Sequence, residues 1–373
     1  MKLHAVNTFG GVAGDRAKIL DKFAKFLPVG FYYKAFFRPK WSFPYWEKLI
    51  RHLTGLGRVN AAAPRPVSPK RYDFCDVLVI GGGPSGMAAA LAAARAGAQV
   101  ILAEENVHLG GSLHYARAEA GARALLLDDL AGEVRASGNI RVRTATFAAG
   151  YYADHWVPLV DTQKITKVRA RSVIVASGVF EQPAAFRNND LPGVMLAGAA
   201  QRLIRRYAVR PMKEAVVLAA NAQGYHAAID LFEAGVKVAA VVDLRKDSES
   251  ADLVHEITRR GGRVLVAHCI LEVHPTVDGM GVSGVTVAPF SAFGVGCGPQ
   301  QTFSCDGVAM SVGYAPAAAL LYQAGATMTY DDALGQFVPA ALPEGVFAAG
   351  RVNGVYDLDA RVRDGERAAA QAV

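Results

Sequence analysis

Apolar runs of strand length alternate with small-residue stretches of helical length, and the alternation occurs twice. "DVLVI" (76–80) is a continuous apolar run, as expected of a parallel strand covered on both faces. "GMAAALAAARAGA" (86–98) is rich in strong helix formers and closes at Gly97. "QVILAEE" (99–105) reads as the next strand, ending in acid. The pattern returns in "KEAVVLAANAQGYHAAIDLFEAGVKVAAVVDLR" (213–245), a strand, turn, helix and strand ending in Asp243. The repetition predicts an internal duplication and an α/β class. "ARSVIVASGVFEQP" (170–183) predicts a strand entering a tight turn at Ser177–Gly178. "RVLVAHCILEVHP" and "GVSGVTVAPF" predict an antiparallel meander. The tail from Glu344 predicts a strand, a loop and a closing helix.

The turn between the first strand and helix carries the chemistry. Gly81, Gly83 and Gly86 form G-x-G-x-x-G. The first glycine lets the chain turn tightly, the second lets backbone approach a pyrophosphate, and the third lets helix and strand pack closely. The helix starting at Pro84–Ser85 aims its free N–H groups at phosphates. Glu104, 18 residues after Gly86, is placed to accept hydrogen bonds from ribose hydroxyls. The candidate cofactor-binding set is Gly81, Gly83, Pro84, Ser85, Gly86, Glu104, Glu105, Gly111, Ser112, Ala176, Ser177, Gly178, Gly350 and Arg351. The second copy is degraded: it reads Ala220-Asn221-Ala222-Gln223-Gly224-Tyr225, with one glycine left. Side chains there would crowd a pyrophosphate, so the second unit is expected to be structural, a modified site being the alternative.

Charge changes the picture only locally. The chain carries a net +7, but residues 1–70 hold 13 Lys/Arg against 3 Asp/Glu, so the remainder is slightly acidic. This argues against a nucleic-acid partner for the whole protein. The same segment holds 11 aromatics between Phe23 and Trp46 and ends in the loose linker "NAAAPRPVSPKR". No CxxC occurs among Cys75, Cys269, Cys297 and Cys305, which argues against zinc, an iron–sulfur cluster or a redox-active thiol pair in this chain. The histidines lack ligand spacing, and no nucleophile elbow or HExxH motif is present, so no catalytic residue is named. No apolar run reaches membrane-span length, and no secretory signal opens the sequence; a cytoplasmic protein is expected.

The stretches "FLPVGFYYKAFFRP", "WEKLI", "GLGR", "CDVLVIGGGPSGMAAALAAARAGAQVILAEE", "VIVASGVFEQPAAFRNNDLPGVMLAGA" and "VFAAGRVNGVYDLDARVRDGERAA" carry a resemblance. The chain resembles the alpha subunit of heterotetrameric sarcosine oxidase and its relatives: dye-linked proline and hydroxyproline dehydrogenases, opine oxidases and hydrogen cyanide synthase. The resemblance implies a two-dinucleotide-binding-domain flavoprotein, FAD/NAD(P)-binding and Rossmann-like, with the second unit inserted into the first. It implies amine oxidation in a beta-type subunit carrying FAD, and FMN at the interface between the two chains. Full sarcosine oxidase alpha chains begin with a ferredoxin-like domain and end with a folate-binding domain. This sequence shows neither, which puts folate-dependent formaldehyde capture in doubt and points to a separate small [2Fe-2S] ferredoxin-like partner.

Flavin reductases of this fold close with A-G-D, the aspartate holding the flavin's ribityl region. Here the motif reads Ala349-Gly350-Arg351, and arginine offers donors only. NAD or another adenine nucleotide is therefore favoured in the first site, with FAD as the alternative. The expected organisation is a basic aromatic arm and linker (1–68), a first dinucleotide domain (69–188 and 312–373) and an inserted second unit (189–311). The expected function is that of a nucleotide-binding subunit in a hetero-oligomeric flavin-dependent amine or imino-acid dehydrogenase or oxidase. The alternative is a free-standing FAD-dependent pyridine-nucleotide oxidoreductase, which would need a second intact glycine turn.

Overall fold

The computed structural model describes residues 8–11, 14–26, 30, 38–53, 60–62, 69–117, 120–247, 251–291 and 296–373. The chain divides into two compact units, Met1–Val67 and Ser68–Val373. In the smaller unit a 3-10 helix spans Arg16–Phe26. Asp15 precedes it and accepts hydrogen bonds from Phe9 N and Ala17 N. Helix α1 (Phe43–Leu53) follows, with an Arg51–Glu47 ion pair one turn apart. Trp41 and Tyr45 are 73% and 70% exposed. Phe31, Tyr32, Tyr33, Phe36 and Phe37, nearly half of the aromatic block, lie outside the described residues.

The larger unit begins with β1 (Lys70–Ile80), α2 (Pro84–Arg95), β2 (Val100–Ala103), α3 (Ala120–Ala136), β3 (Ile140–Arg143), β4 (Phe147–Ala148), β5 (Trp156–Val160) and β6 (Ile165–Val175). It crosses through β7 (Val179–Glu181) into β8 (Val194–Leu196), α4 (Ala197–Tyr207), β9 (Glu214–Ala219), α5 (Ala222–Glu233), β10 (Lys237–Asp243), α6 (Ala251–Arg259) and β11 (Arg263–Val266). The meander β12 (His268–Pro275), β13 (Val282–Pro289), β14 (Gln301–Ser304) follows, then β15 (Gly307–Ser311) and β16 (Tyr314–Pro316). The chain returns by α7 (Ala319–Ala324), β17 (Thr327–Asp331), β18 (Gln336–Ala341), β19 (Val346–Ala348) and α8 (Leu358–Ala372).

The first sheet has the order β3-β2-β1-β6-β5-β4, and the late strand β19 pairs with β6. β3, β2, β1, β6 and β19 run parallel, whereas β5 pairs antiparallel with β6 and β4 antiparallel with β5. The second sheet, β11-β10-β9-β15-β8, is parallel throughout. These are two Rossmann-like units, the second inserted between β6 and β19 of the first. The antiparallel ribbon β7–β16 carries the chain out and back. The expected meander is present as β12-β13-β14, but the first residues assigned to it, Arg263–Val266, form instead the parallel edge strand β11, where their short apolar run is covered by the second unit's sheet.

Burial explains the continuous apolar runs: Val77, Leu78 and Val79 of β1 are wholly inaccessible. Two clusters form, one on each face of the first sheet. Helix α2 is buried almost all round because α8 lies across it, and its small side chains permit that approach. Arg117, after the first glycine site, reaches Asp230 of α5 (2.9 Å) and Glu233 (2.7 Å). Asp230 is fully buried and also accepts from Gln201 (2.8 Å) and Arg205 (2.5 Å), so its charge is compensated. Among the described residues no helix is long and apolar enough to cross a membrane.

The α2–α8 crossing is backbone on backbone: a Cβ on Gly365 would stand 2.1 Å from the Ser85 carbonyl oxygen. Replacing a helical glycine by alanine would otherwise gain about 1 kcal/mol from propensity. Overpacking costs about 1–3 kcal/mol, and rigid backbone gives the least relief. Gly365→Ala is therefore expected to lose about 2 kcal/mol, read as a lower urea midpoint at unchanged slope. A higher midpoint would show that the two helices can separate at little cost.

Candidate nucleotide-binding site

The glycine turn sits at the carboxyl ends of β1, β2, β6 and β19. Gly81 has φ +105°, and a Cβ there would meet the Ala176 carbonyl oxygen at 2.4 Å. Gly81 N donates to Ala103 O and Ala176 N to Ile80 O, knitting three strand ends together. A Cβ on Gly86 would lie 1.8 Å from the Gly81 carbonyl oxygen, so this glycine sets the helix–strand approach. Pro84 opens α2 with Gly83 as N-cap, and no side chain caps the helix. The first-turn N–H groups of α2 are thus left for another acceptor.

Gly83 differs from its neighbours. A Cβ built there meets nothing within 4 Å, and its φ of −74° suits any residue. Nothing in the protein itself requires glycine at this position. Gly111 faces it, a Cβ on Gly111 standing 3.1 Å from Gly83 Cα. The two backbones thus lie close together, and the side of Gly83 on which a side chain would project is open, the approach a pyrophosphate requires.

Glu104 is 5% exposed and ends the second strand as expected. Its Oε2 accepts from Gly82 N (2.6 Å), and its Oε1 from Asn106 N (2.8 Å) and Asn106 Nδ2 (2.6 Å). The carboxylate therefore braces the turn, and two oxygens with about four acceptor directions retain capacity for a ribose hydroxyl. Glu105 is exposed. Ser177 donates to Ala317 O (2.7 Å), which ties it to the ribbon. Ser85 is buried against Gly350, where a Cβ would stand 2.3 Å from its Oγ.

The closing motif brings in residues that sequence reasoning missed. Gly350 N donates to Asp364 of α8 (2.8 Å), so an acid from the next helix holds this turn. Arg361, also on α8, is 7% exposed and donates from Nη1 to Ser112 Oγ (3.1 Å). The Nε atoms of both Arg351 and Arg361 are buried without a partner. Burial first, and the Arg351 charge second, pull the Arg361 guanidinium down to about 10. Burial raises Glu181 of the ribbon, and pushes Tyr314 and Tyr356 up to about 12. A sequence signal for Arg361 existed: it shares a helical stripe with Asp364, Gly365 and Ala368, all buried.

The second unit keeps the packing and loses the opening. A Cβ on Gly224 would stand 2.5 Å from Ala219 Cβ, so this glycine still sets helix–strand approach. Asn221 caps α5, accepting from Gln223 N. Asp243, the terminal acid, is fully buried. It accepts from Tyr225 OH (2.7 Å) and from Arg245 N, Nε and Nη2 (2.9, 3.1 and 2.8 Å). The carboxylate that would hold a ribose is consumed by the protein.

Residues 76–121 match the FAD dependent oxidoreductase family. The chain is 31% identical to the sarcosine oxidase alpha chain of Rhizobium meliloti (strain 1021), over 98% of this chain and 37% of that protein. It is 27% identical to an opine oxidase subunit from Agrobacterium tumefaciens (strain Ach5), over 81% of this chain and 66% of that one. It thus spans about a third of the length of the sarcosine oxidase chains it matches. The fold is shared with L-proline dehydrogenase from P. horikoshii (TM-score 0.61, 20% identity, 83% of this chain and 57% of that one). It is shared also with T. acidophilum thioredoxin reductase (TM-score 0.63, 20% identity, 80% and 97%).

Because a Cβ at Gly83 would meet nothing in the protein, Gly83→Val separates folding from binding. The variant is expected to keep its thermal midpoint and to lose adenine-nucleotide binding by at least about 100-fold in calorimetry, since a branched side chain fills that open side. Retention of the nucleotide at parental affinity would place the phosphates elsewhere.

Proposed function

We propose, on the premise that this chain is a relative of the sarcosine oxidase alpha chain and of opine oxidase, that it is the nucleotide-binding alpha-type component of a hetero-oligomeric flavin-dependent dehydrogenase or oxidase acting on an amine or imino acid. The substrate class is sarcosine, proline, hydroxyproline or an opine, and the bond oxidised is CH–NH. The single observation that carries the reading is the contrast between the two turns. The first leaves the side-chain face of Gly83 open, while in the second Asp243 is held by Tyr225 and Arg245. A free-standing pyridine-nucleotide reductase needs both sites open, one for each dinucleotide.

In this reading the first site holds the ADP portion of NAD or another adenine nucleotide. Gly81, Gly83 and Gly86 shape the turn, the α2 N-terminus and Gly111 receive the phosphates, and Glu104 meets the ribose. The open face of Gly83 and the unspent acceptor directions of Glu104 fit that portion. Arg361 is buried and Arg351 half-buried, and their guanidinium groups offer a ribityl chain donors only, where an aspartate would accept. The flavin chemistry is assigned to a beta-type partner carrying FAD, with FMN at the contact between the chains. A bound flavin would accept the two electrons that amine oxidation releases. A small [2Fe-2S] protein is the proposed further partner. Residues 69–188 with 312–373 are read as the nucleotide-holding domain and 189–311 as the inserted unit. The exposed aromatics Phe23, Trp41 and Tyr45, edged by Lys and Arg, suit a docking arm.

The chain purified alone is expected to show no amine-dependent dye reduction across those four amines, and the chain purified with its beta-type partner to show it. Turnover by the chain alone would refute the hetero-oligomeric reading. Removal of residues 1–60 should leave adenine-nucleotide affinity within about threefold and abolish co-purification. A stoichiometric complex of the truncated chain, measured by light scattering after size exclusion, would refute the docking role.

A further inference from the structure

We propose, resting on the hetero-oligomeric reading, that the outer face of strands β1, β6, β5 and β4 is a docking face for the beta-type partner, which meets it with an apolar centre ringed by carboxylates. The strand register defines the face. Lys167 of β6 pairs with Tyr72 of β1 and Pro158 of β5, and Arg169 pairs with Phe74 and Trp156. The alternate residues Val157, Leu159, Val168 and Ala170 point the other way and are buried in the core. On the outer face Tyr72 and Phe74 are 69% and 66% exposed, and Phe147 and Tyr152 are exposed beside them. Single apolar residues scattered over a surface are ordinary, whereas a contiguous aromatic set on one sheet face marks an interaction site.

The rings are held in place. Lys167 Nζ lies 5.1 Å from the Tyr72 ring centre and 5.6 Å from that of Trp156, a cation between two aromatic faces. Tyr152 stands edge-on to Trp156 at 4.7 Å. The turn joining these two rings holds Asp154 and His155 at φ +56° and +52°. Left-handed backbone costs an L-residue about 1–2 kcal/mol. Here the strain sets a stack on the surface, outside the core, and strain of this kind gathers at functional surfaces. Side chains already ordered lose less entropy on contact. Charge selects the occupant. Lys70, Lys167 and Arg169 stand on the face, and Asp154 at its edge lies 3.7 Å from Arg169. In a two-fold contact with a second copy these cations would face one another, whereas carboxylates on a different partner are attracted to them. Strands about 4.8 Å apart, with a rise of about 3.3 Å per residue, give four strands by five residues an extent on the order of 300 Å². A standard interface takes about 800 Å² from each partner, so this face supplies one part of the contact. Tyr72 and Ile80 lie on the same strand, which puts the face roughly 26 Å from the glycine turn. A partner seated there leaves the nucleotide turn untouched.

The test measures binding of the purified beta-type subunit to the full chain by biolayer interferometry, at about 50 and about 300 mM salt. The proteins are the parent, Tyr72→Ser combined with Phe74→Ser, Lys167→Glu and Lys167→Arg. The double serine variant is expected to weaken the complex at least about 30-fold. Lys167→Glu weakens it at least about tenfold at low salt and less at high salt, while Lys167→Arg stays within about threefold of the parent. Because these side chains lie on the surface, every variant keeps its thermal midpoint, and its ADP affinity stays within about twofold. Parental affinity for the beta-type subunit in both the double serine and the Lys167→Glu variants overturns the proposal. So does a parent that dimerises alone in light scattering and becomes monomeric on the same substitutions, which would make a second copy the occupant. Sedimentation of the parent with phosphatidylglycerol vesicles, lost in the variants, would assign the face to a lipid surface and overturn it likewise. A parent that does not bind the beta-type subunit at all refutes the hetero-oligomeric reading itself, an outcome separate from any effect of the substitutions.

Discussion

The structure depends on three places where backbone touches backbone. The Gly81 carbonyl occupies the space a side chain at residue 86 would need, the Ala176 carbonyl that of residue 81, and the Ser85 carbonyl that of residue 365. Interiors pack to crystal density, so such contacts set distances to fractions of an ångström. Here they bring the α2 N-terminus flush with the ends of β1, β6 and β19. The alanine interior of α2 follows from the same demand, since larger side chains would lift the helix off α8. The open face of Gly83 is what remains once these surfaces have met.

The second unit shows that the packing demand and the binding demand are separable. Gly224 preserves the helix–strand approach, while Tyr225 and Arg245 turn inward to saturate Asp243. A buried acid without donors would be intolerable, so loss of a ligand requires the protein to supply them. The first unit resolves the same requirement only in part. Glu104 is braced by Gly82 and Asn106, whereas Arg361 has one serine and an unused Nε. One unit has been closed with side chains and the other left polar and open.

The strands, helices and turn of both units were legible because their signals are local: apolar runs, alanine-rich helices, and glycines with distinct steric duties. The converging set Gly81, Gly83, Gly86, Glu104, Gly111 and Ala176 follows from those signals plus the rule that ligands gather at strand ends. Arg361 was not legible in that way. Its importance comes from the crossing of α8 on α2, which joins residues 85 and 365. Its position on a buried helical stripe was a usable hint. Asp364 was hidden for the same reason, since an acid on the closing helix gains meaning only through the Gly350 turn. The sequence shows in Arg351 a residue that cannot accept, while its place beside Ser85 and α8 is a property of the folded chain. The sequence pattern of the N-terminal block singled out its aromatics, and nearly half of them lie outside the described residues.

The ribbon of β7 and β16 has a consequence for the history of the chain. Glu181 pairs with Tyr314 and Val179 with Pro316, so the 132 residues between positions 181 and 314 start and finish as neighbours. A module whose two ends meet can be gained, exchanged or deleted at a single point of the host gene, leaving the reading of the host's own sheet undisturbed. Its side chains could therefore change while the Gly81–Gly86 turn, assembled from host strands alone, kept its shape.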